Sequence, residues 1–218
     1  MAYTDIDKPT DYFNTKLYTG TGSTLNITGL DFKPDFNWTK NRSTSGGYSH
    51  NLCDVVRGTT KYLKSNGSGA EQTGSDRITS FNSDGYTLGT DANQEHNVSG
   101  HTYASWNWLA GGSGVANTDG GINSTVSVNN TSGFSIVKYG TGTGSATTVG
   151  HGMNTAPNFI IIKPLGTITT GNWIIGGDNL DNTWNNVIEL NTSFAKANDP
   201  SFNDTAPTSS VFSVGNNN

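Results

Sequence analysis

The 218-residue chain has little cysteine, proline, glutamate or charge. Its single cysteine, Cys53, excludes an internal disulfide framework and a thiolate metal cluster, and fits synthesis in a reducing cytoplasm. Charged residues are 13% of the chain and the net charge is −5. The 12 Lys and Arg are spread singly, so there is no basic track for phosphates and nucleic-acid binding is disfavoured. No apolar run approaches the ~18 residues of a membrane-spanning helix. The opening MAYTDIDKPTDYF has neither the basic region nor the apolar stretch of a secretory signal.

Small polar residues fill the space: 31 Thr, 28 Gly, 27 Asn and 22 Ser make up about half the chain. They form helices poorly and turns well. Aromatics at 10% argue against a disordered polar chain. The composition therefore predicts an all-β protein with many turns.

The chain also resembles itself. Tyr18-Thr-Gly-Thr-Gly-Ser23 returns as Tyr139-Gly-Thr-Gly-Thr-Gly-Ser145, and Pro34-Asp-Phe-Asn-Trp-Thr-Lys40 as Pro157-Asn-Phe-Ile-Ile-Ile-Lys163. Tyr48–Asp54 aligns with Asn172–Asp178, and Gly85–Gly89 with Val211–Gly215. The order is kept and the offset drifts by only a few residues. These landmarks predict two tandem related β-sandwich modules of jelly-roll type, over 1–112 and 130–218. Residues 113–129 would be a Gly-rich linker with a bridging strand over Ile122–Val128.

Alternation predicts strands near 12–19, 24–28, 35–41, 49–54, 61–65, 77–81, 85–89 and 102–109. In the second module they fall near 133–139, 145–149, 158–164, 172–176, 186–191 and 210–214. Ile160-Ile-Ile-Lys163 reads as a central strand buried on both faces, and Trp106 and Trp108 as core. Short helical turns are expected at Asp54–Gly58 and Thr192–Asn198. The second module stops before any equivalent of His101–Leu109. Either that sandwich lacks its last strand or the polypeptide continues beyond Asn218. The open edge, with Val211, Phe212 and Val214, is expected to dock a partner chain.

No catalytic constellation stands out. There is no G-x-S-x-G elbow, and the four histidines (His50, His96, His101, His151) lack metal-ligand spacing. The three glutamates, Glu71, Glu95 and Glu189, form no strand-borne glycosidase pair. Asp178 and Asp181, like Asn82-Ser-Asp84, offer oxygens to Ca²⁺, but the turn role of such residues ranks ahead. No cofactor is expected. Gly140, Gly142 and Gly144 lack the Lys-Ser/Thr of a phosphate loop. Trp184, flanked by polar residues, is the best candidate for an exposed sugar platform, with Asn93 and His96 beside it in a glycan-binding reading.

Four strings together resemble a family of marine bacteriophage virion proteins of the cyanophage and pelagiphage type: Val55–Leu63, Ser80-Phe-Asn-Ser-Asp-Gly-Tyr-Thr-Leu-Gly89, Tyr103–Trp108 and Val149–Pro157. That family is described with LamG-like or concanavalin-like jelly-roll modules, and its members usually close with a second strand similar to Tyr103–Trp108. The resemblance implies a particle component and brings no catalytic residues. The expectation is thus a non-enzymatic virion protein on the particle surface, a capsid decoration or a tail fibre or spike component. It would oligomerise and bind other virion chains, with no nucleic-acid or membrane partner. The alternatives are a carbohydrate-binding host-attachment module and, third, a glycan depolymerase acting through Glu189 or Asp178.

Overall fold

The computed structural model describes residues 6–43, 47–91, 95–141, 144–166 and 171–215. The chain is all-β and divides into two compact units. Unit 1 comprises Met1–Ser65 with Glu71–Ser113, and unit 2 Asn66–Ala70 with Gly114–Asn218.

Unit 1 holds β1 (Phe13–Thr19), β2 (Leu25–Thr28), β3 (Phe36–Asn41), β4 (Asn51–Asp54), β5 (Lys61–Lys64), β6 (Gln72–Thr73), β7 (Ile78–Asn82), β8 (Gly85–Leu88) and β9 (Thr102–Trp108). A six-stranded antiparallel sheet, β1-β9-β3-β4-β5-β6, faces a three-stranded one, β2-β8-β7. Between them lie Ile27, Leu30, Cys53, Tyr62, Ile78, Tyr86 and Leu88, the apolar half of a sandwich core. The β7–β8 hairpin turns through Gly85, whose φ of 149° and closeness to the Ile27 carbonyl leave no room for a Cβ. Asp84 pins the neighbouring loop by accepting from the amides of Gly29 (2.9 Å) and Asp31 (2.8 Å). These bonds hold its carboxyl below the usual range. It is a turn residue, as its sequence context suggested. Asp54–Gly58 forms the expected turn, with Gly58 N–H donating to Asp54 O at 3.0 Å.

Unit 2 holds β10 (Val115–Asn117), β11 (Ser124–Asn129), β12 (Phe134–Tyr139), β13 (Thr147–Gly150), β14 (Phe159–Ile162), β15 (Ile174–Gly177), β16 (Asn186–Glu189), β17 (Ala197–Asn198) and β18 (Val211–Val214). They form three sheets, β10-β11-β12, β13-β18 and β14-β15-β16-β17, around Val149, Ile162, Trp184, Val187, Phe202, Phe212 and Val214. The stretch 113–129, expected as linker and bridging strand, carries β10 and β11 and from Gly114 on is grouped with unit 2. Thr192–Asn198 forms no helical turn; it ends in β17, and a 3-10 turn follows at Pro200–Phe202.

The two units share strand pairing residue by residue. Leu25↔Leu88 and Ile27↔Tyr86 of β2–β8 correspond to Thr147↔Val214 and Val149↔Phe212 of β13–β18. Phe36↔Asp54 corresponds to Phe159↔Gly177, which moves the sequence match of Asp54 with Asp178 by one residue; Leu52↔Leu63 corresponds to Ile175↔Ile188, and Tyr62↔Gln72 to Val187↔Ala197. Gly89 N–H donates to Arg77 O (2.8 Å) and Gly215 N–H to Ser201 O (2.9 Å) at the matching place. β1 matches β12, with Tyr18 and Tyr139 both packed against their unit's core. β9, which lies between β1 and β3, has no counterpart among the described residues of unit 2.

Candidate functional site

The absence of a β9 counterpart sets the exposure pattern of β14. In unit 1 the outward residues of β9 cover their neighbours: Trp108 packs on Phe13 (4.7 Å between ring centroids) and Phe36 (5.4 Å), and Trp106 on Trp38 (6.2 Å). The aromatic face of β9 is therefore the outer, half-buried one; Tyr103, Ser105 and Asn107 are the buried residues. This corrects the reading of Trp106 and Trp108 as core. In β14 the counterparts of Phe36 and Trp38 are Phe159 and Ile161, which are 59% and 38% exposed. β14 is thus a terminal strand of its sheet and not the central, doubly buried strand its apolar run suggested. An apolar run looks the same in sequence whether or not a neighbour is present to cover it.

The inner faces differ as well. In unit 1 Asn37 Nδ2 donates to Asn107 Oδ1 (2.7 Å), Thr39 Oγ1 to Asn37 Oδ1 (2.8 Å), and Tyr86 Oη to Ser105 Oγ (2.9 Å). This buried network needs β9 to satisfy it. In unit 2 the positions of Asn37, Thr39 and Tyr86 hold Ile160, Ile162 and Phe212, all packed on the apolar core with Val137 and Tyr139 of β12. Tyr139 meets Phe212 edge-on at 6.0 Å, and burial pushes its hydroxyl up to about 12.

The residues singled out in the sequence lie elsewhere. Trp184 is fully buried: its Nε1 donates to Asp178 Oδ1 (2.8 Å) and its ring packs edge-on against Phe202 (5.2 Å). It is a core residue and not a sugar platform, because Phe202, eighteen positions on, covers it. His96 is also fully buried, and Asn93 lies outside the described residues. Asp178 Oδ2 accepts from Asn158 (2.6 Å); Asp181 accepts from Thr183 N–H (3.0 Å) and Asn186 Nδ2 (2.6 Å). Both carboxylates are spent on loop hydrogen bonds, and no cluster of three metal-ligating side chains occurs among the described residues. Glu189 accepts from Thr192 Oγ1 at 2.7 Å. Val211 is half-buried, while Phe212 and Val214 are core residues paired to β13. Of these two strands, the exposed apolar side chains are therefore those of β14, while Phe212 and Val214 of the sheet-terminal strand β18 face the core.

Sequence reasoning missed a charged cluster inside unit 1. Arg77, 2% exposed, donates through Nη1 to Glu95 Oε2 and to Asn51 Oδ1 (3.2 Å), and lies 3.6 Å over the Tyr62 ring. Lys64 Nζ donates to Glu95 Oε1 at 2.8 Å. Burial raises the Glu95 carboxyl, but the Lys64 hydrogen bond and the Arg77 charge outweigh it and hold it below its ordinary value. Burial beside Arg77 pushes His96 down to about 3, so its ring is neutral. Arg77 and Lys64 share the one carboxylate of Glu95, and Arg77 Nε and both ring nitrogens of His96 are buried with no hydrogen-bond partner among the described residues. The cluster's one sequence signal was an arginine directly before the apolar Ile78.

The chain matches, over residues 8–218, a family described as Domain of unknown function (DUF7483). It belongs to that family. No curated protein and no solved structure matches this DUF7483 chain. Its internal repeat is consequently the comparison that carries most information about it.

Proposed function

We propose that this DUF7483 protein is a non-enzymatic structural component of a bacteriophage particle, exposed on its surface as a capsid decoration or as part of a tail fibre or spike, where it binds other virion chains. The sequence resemblance supplies the particle. The observation that carries the docking role is the exposed pair Phe159 and Ile161 on a sheet-terminal strand, since unpaired apolar edges recruit other chains. The buried positions of Trp184 and His96 take away the glycan platform on which the host-attachment reading leaned. Mass spectrometry and immunogold labelling of purified particles test the proposal. The chain is expected in many copies on the particle surface. Its presence in infected-cell lysate with absence from purified particles would overturn it.

A further inference from the structure

Unit 1 shows what belongs beside an edge like that of β14. β9 lies antiparallel between β1 and β3, with Trp108 opposite both Phe13 and Phe36, Trp106 opposite Thr15 and Trp38, and Ala104 opposite Leu17 and Lys40. The same register in unit 2 brings together Phe134 with Phe159, Ile136 with Ile161, and Lys138 with Lys163 across one strand position each. β12 and β14 each end their own sheet among the described residues, yet Val137 and Tyr139 of one and Ile160 and Ile162 of the other pack on a single core. By the register of unit 1 the pair would flank the place of one strand, a slot.

We infer that the slot between β12 and β14 takes an extended polypeptide segment from outside residues 1–218, added antiparallel to both walls. The walls specify its chemistry. Outward, large apolar or aromatic side chains at alternate positions would cover Phe159 and Ile161, as Trp108 and Trp106 cover Phe36 and Trp38. Inward, the residues must be apolar, because Ile160 and Ile162 stand where unit 1 offers Asn37 and Thr39; a buried Asn there would have no partner. An acidic residue fits the position flanked by Lys138 and Lys163. Among its described residues a second copy of this chain has no spare strand of this kind, since its own β9 is paired over seven residues to β1 and six to β3. This is recognition by strand addition: backbone bonds supply attachment and the alternating pockets supply choice. The inference deepens the docking reading and rests on it only for where the partner is found.

The test titrates the full chain with a synthetic peptide of the β9 sequence, His101–Leu109, carrying Ser105→Val and Asn107→Val, read by calorimetry and by amide hydrogen exchange. Saturable one-to-one binding is expected, with added protection in β12 and β14 and none in β1 and β3. The unaltered β9 peptide should bind at least tenfold more weakly. Ile161→Lys, at an exposed site, should weaken binding tenfold or more, while Leu17→Lys on the exposed face of β1 leaves it unchanged. No saturable binding, or equal binding to the Ile161→Lys chain, would overturn the slot. Self-association of the peptide-free chain that Ile161→Lys abolishes would overturn the choice of a different partner. Peptide binding is scored on purified protein, so it can fail while the chain is found on particles, and the reverse.

Discussion

Units 1 and 2 hold the same antiparallel ladders in the same register around interiors of different chemistry. Around β3, unit 1 is hydrogen-bonded: Asn37, Thr39, Ser105 and Asn107 satisfy one another. The corresponding part of unit 2 is apolar, through Ile160, Ile162 and Phe212. Register is fixed by backbone pairing and by which face is inward; it does not specify what the inward side chains are. The interior changes as a set, because a half-satisfied buried network is worse than either a complete one or none. The matching difference on the other side of the core is charge. Arg77 and its partners occupy unit 1, whereas the corresponding position in unit 2 is Ser201, hydrogen-bonded to Asp199 at 2.8 Å.

Arg77→Ala gives the largest expected break in this comparison. It leaves Glu95 facing only Lys64 in a largely buried site, and loss of one member of a buried ion pair costs about 3–5 kcal/mol. Urea unfolding followed by hydrogen exchange should show the loss confined to unit 1. A loss below 1 kcal/mol would mean that the cluster is solvated.

Gly176→Cys tests whether the two cores are independently fitted. Gly176 takes the position of Cys53, and a Cβ there would overlap the Phe202 ring, which itself takes the position of Ile78. Overpacking of this kind costs about 1–3 kcal/mol. Phe202→Ile in the same chain should recover part of it, and the double-mutant cycle measures that coupling. Strict additivity would show that Phe202 does not fill the space beside Gly176.

His96 sets a pH dependence that falls mainly on unit 1. Its folded pKa of about 3 lies below the ordinary 6.5, so both states are neutral above pH 6.5 and nothing is lost there. Below 6.5 the unfolded chain takes up a proton that the folded chain refuses, and stability falls until pH nears 3. At about 1.4 kcal/mol per pH unit, the loss between pH 6.5 and 5 is about 2 kcal/mol. Glu95 has a lowered pKa and contributes its loss only further down, as its carboxyl protonates. His96→Gln should flatten most of the slope in denaturation midpoints measured from pH 7.5 to 5. His50 and His151, also lowered by burial, supply the remainder.

The strands were legible because a period of two survives any composition: the reading over 12–19 became Phe13–Thr19 and that over 210–214 became Val211–Val214. The duplication was legible for the same reason, since Pro34, Phe36 and Lys40 recur in order. Which face of β9 is buried was not legible. Size favours tryptophan for the core, and only a three-dimensional network shows that Asn107 finds its partner in Asn37, seventy residues away in sequence. Trp184 misled because its neighbours in sequence are polar while its neighbour in space is Phe202. β6, β10 and β17 were too short to carry a period.

The smallest expected effect bears most directly on the comparison. Trp38 and Ile161 hold one register position in the two units, yet only Trp38 has a neighbour over it. Trp38→Ala removes the Trp106 contact and the hydrogen bond from Nε1 to Ser65 Oγ (3.1 Å), an expected loss of about 1–3 kcal/mol. Ile161→Lys removes nothing that is paired, so its effect on folding stability should stay within about 0.5 kcal/mol. The charge should also raise solubility, as it does on exposed sheet edges generally. Thermal midpoints of the two single variants decide the matter. Equal losses would mean that Ile161 is already covered, and the open edge would then have no place in the fold.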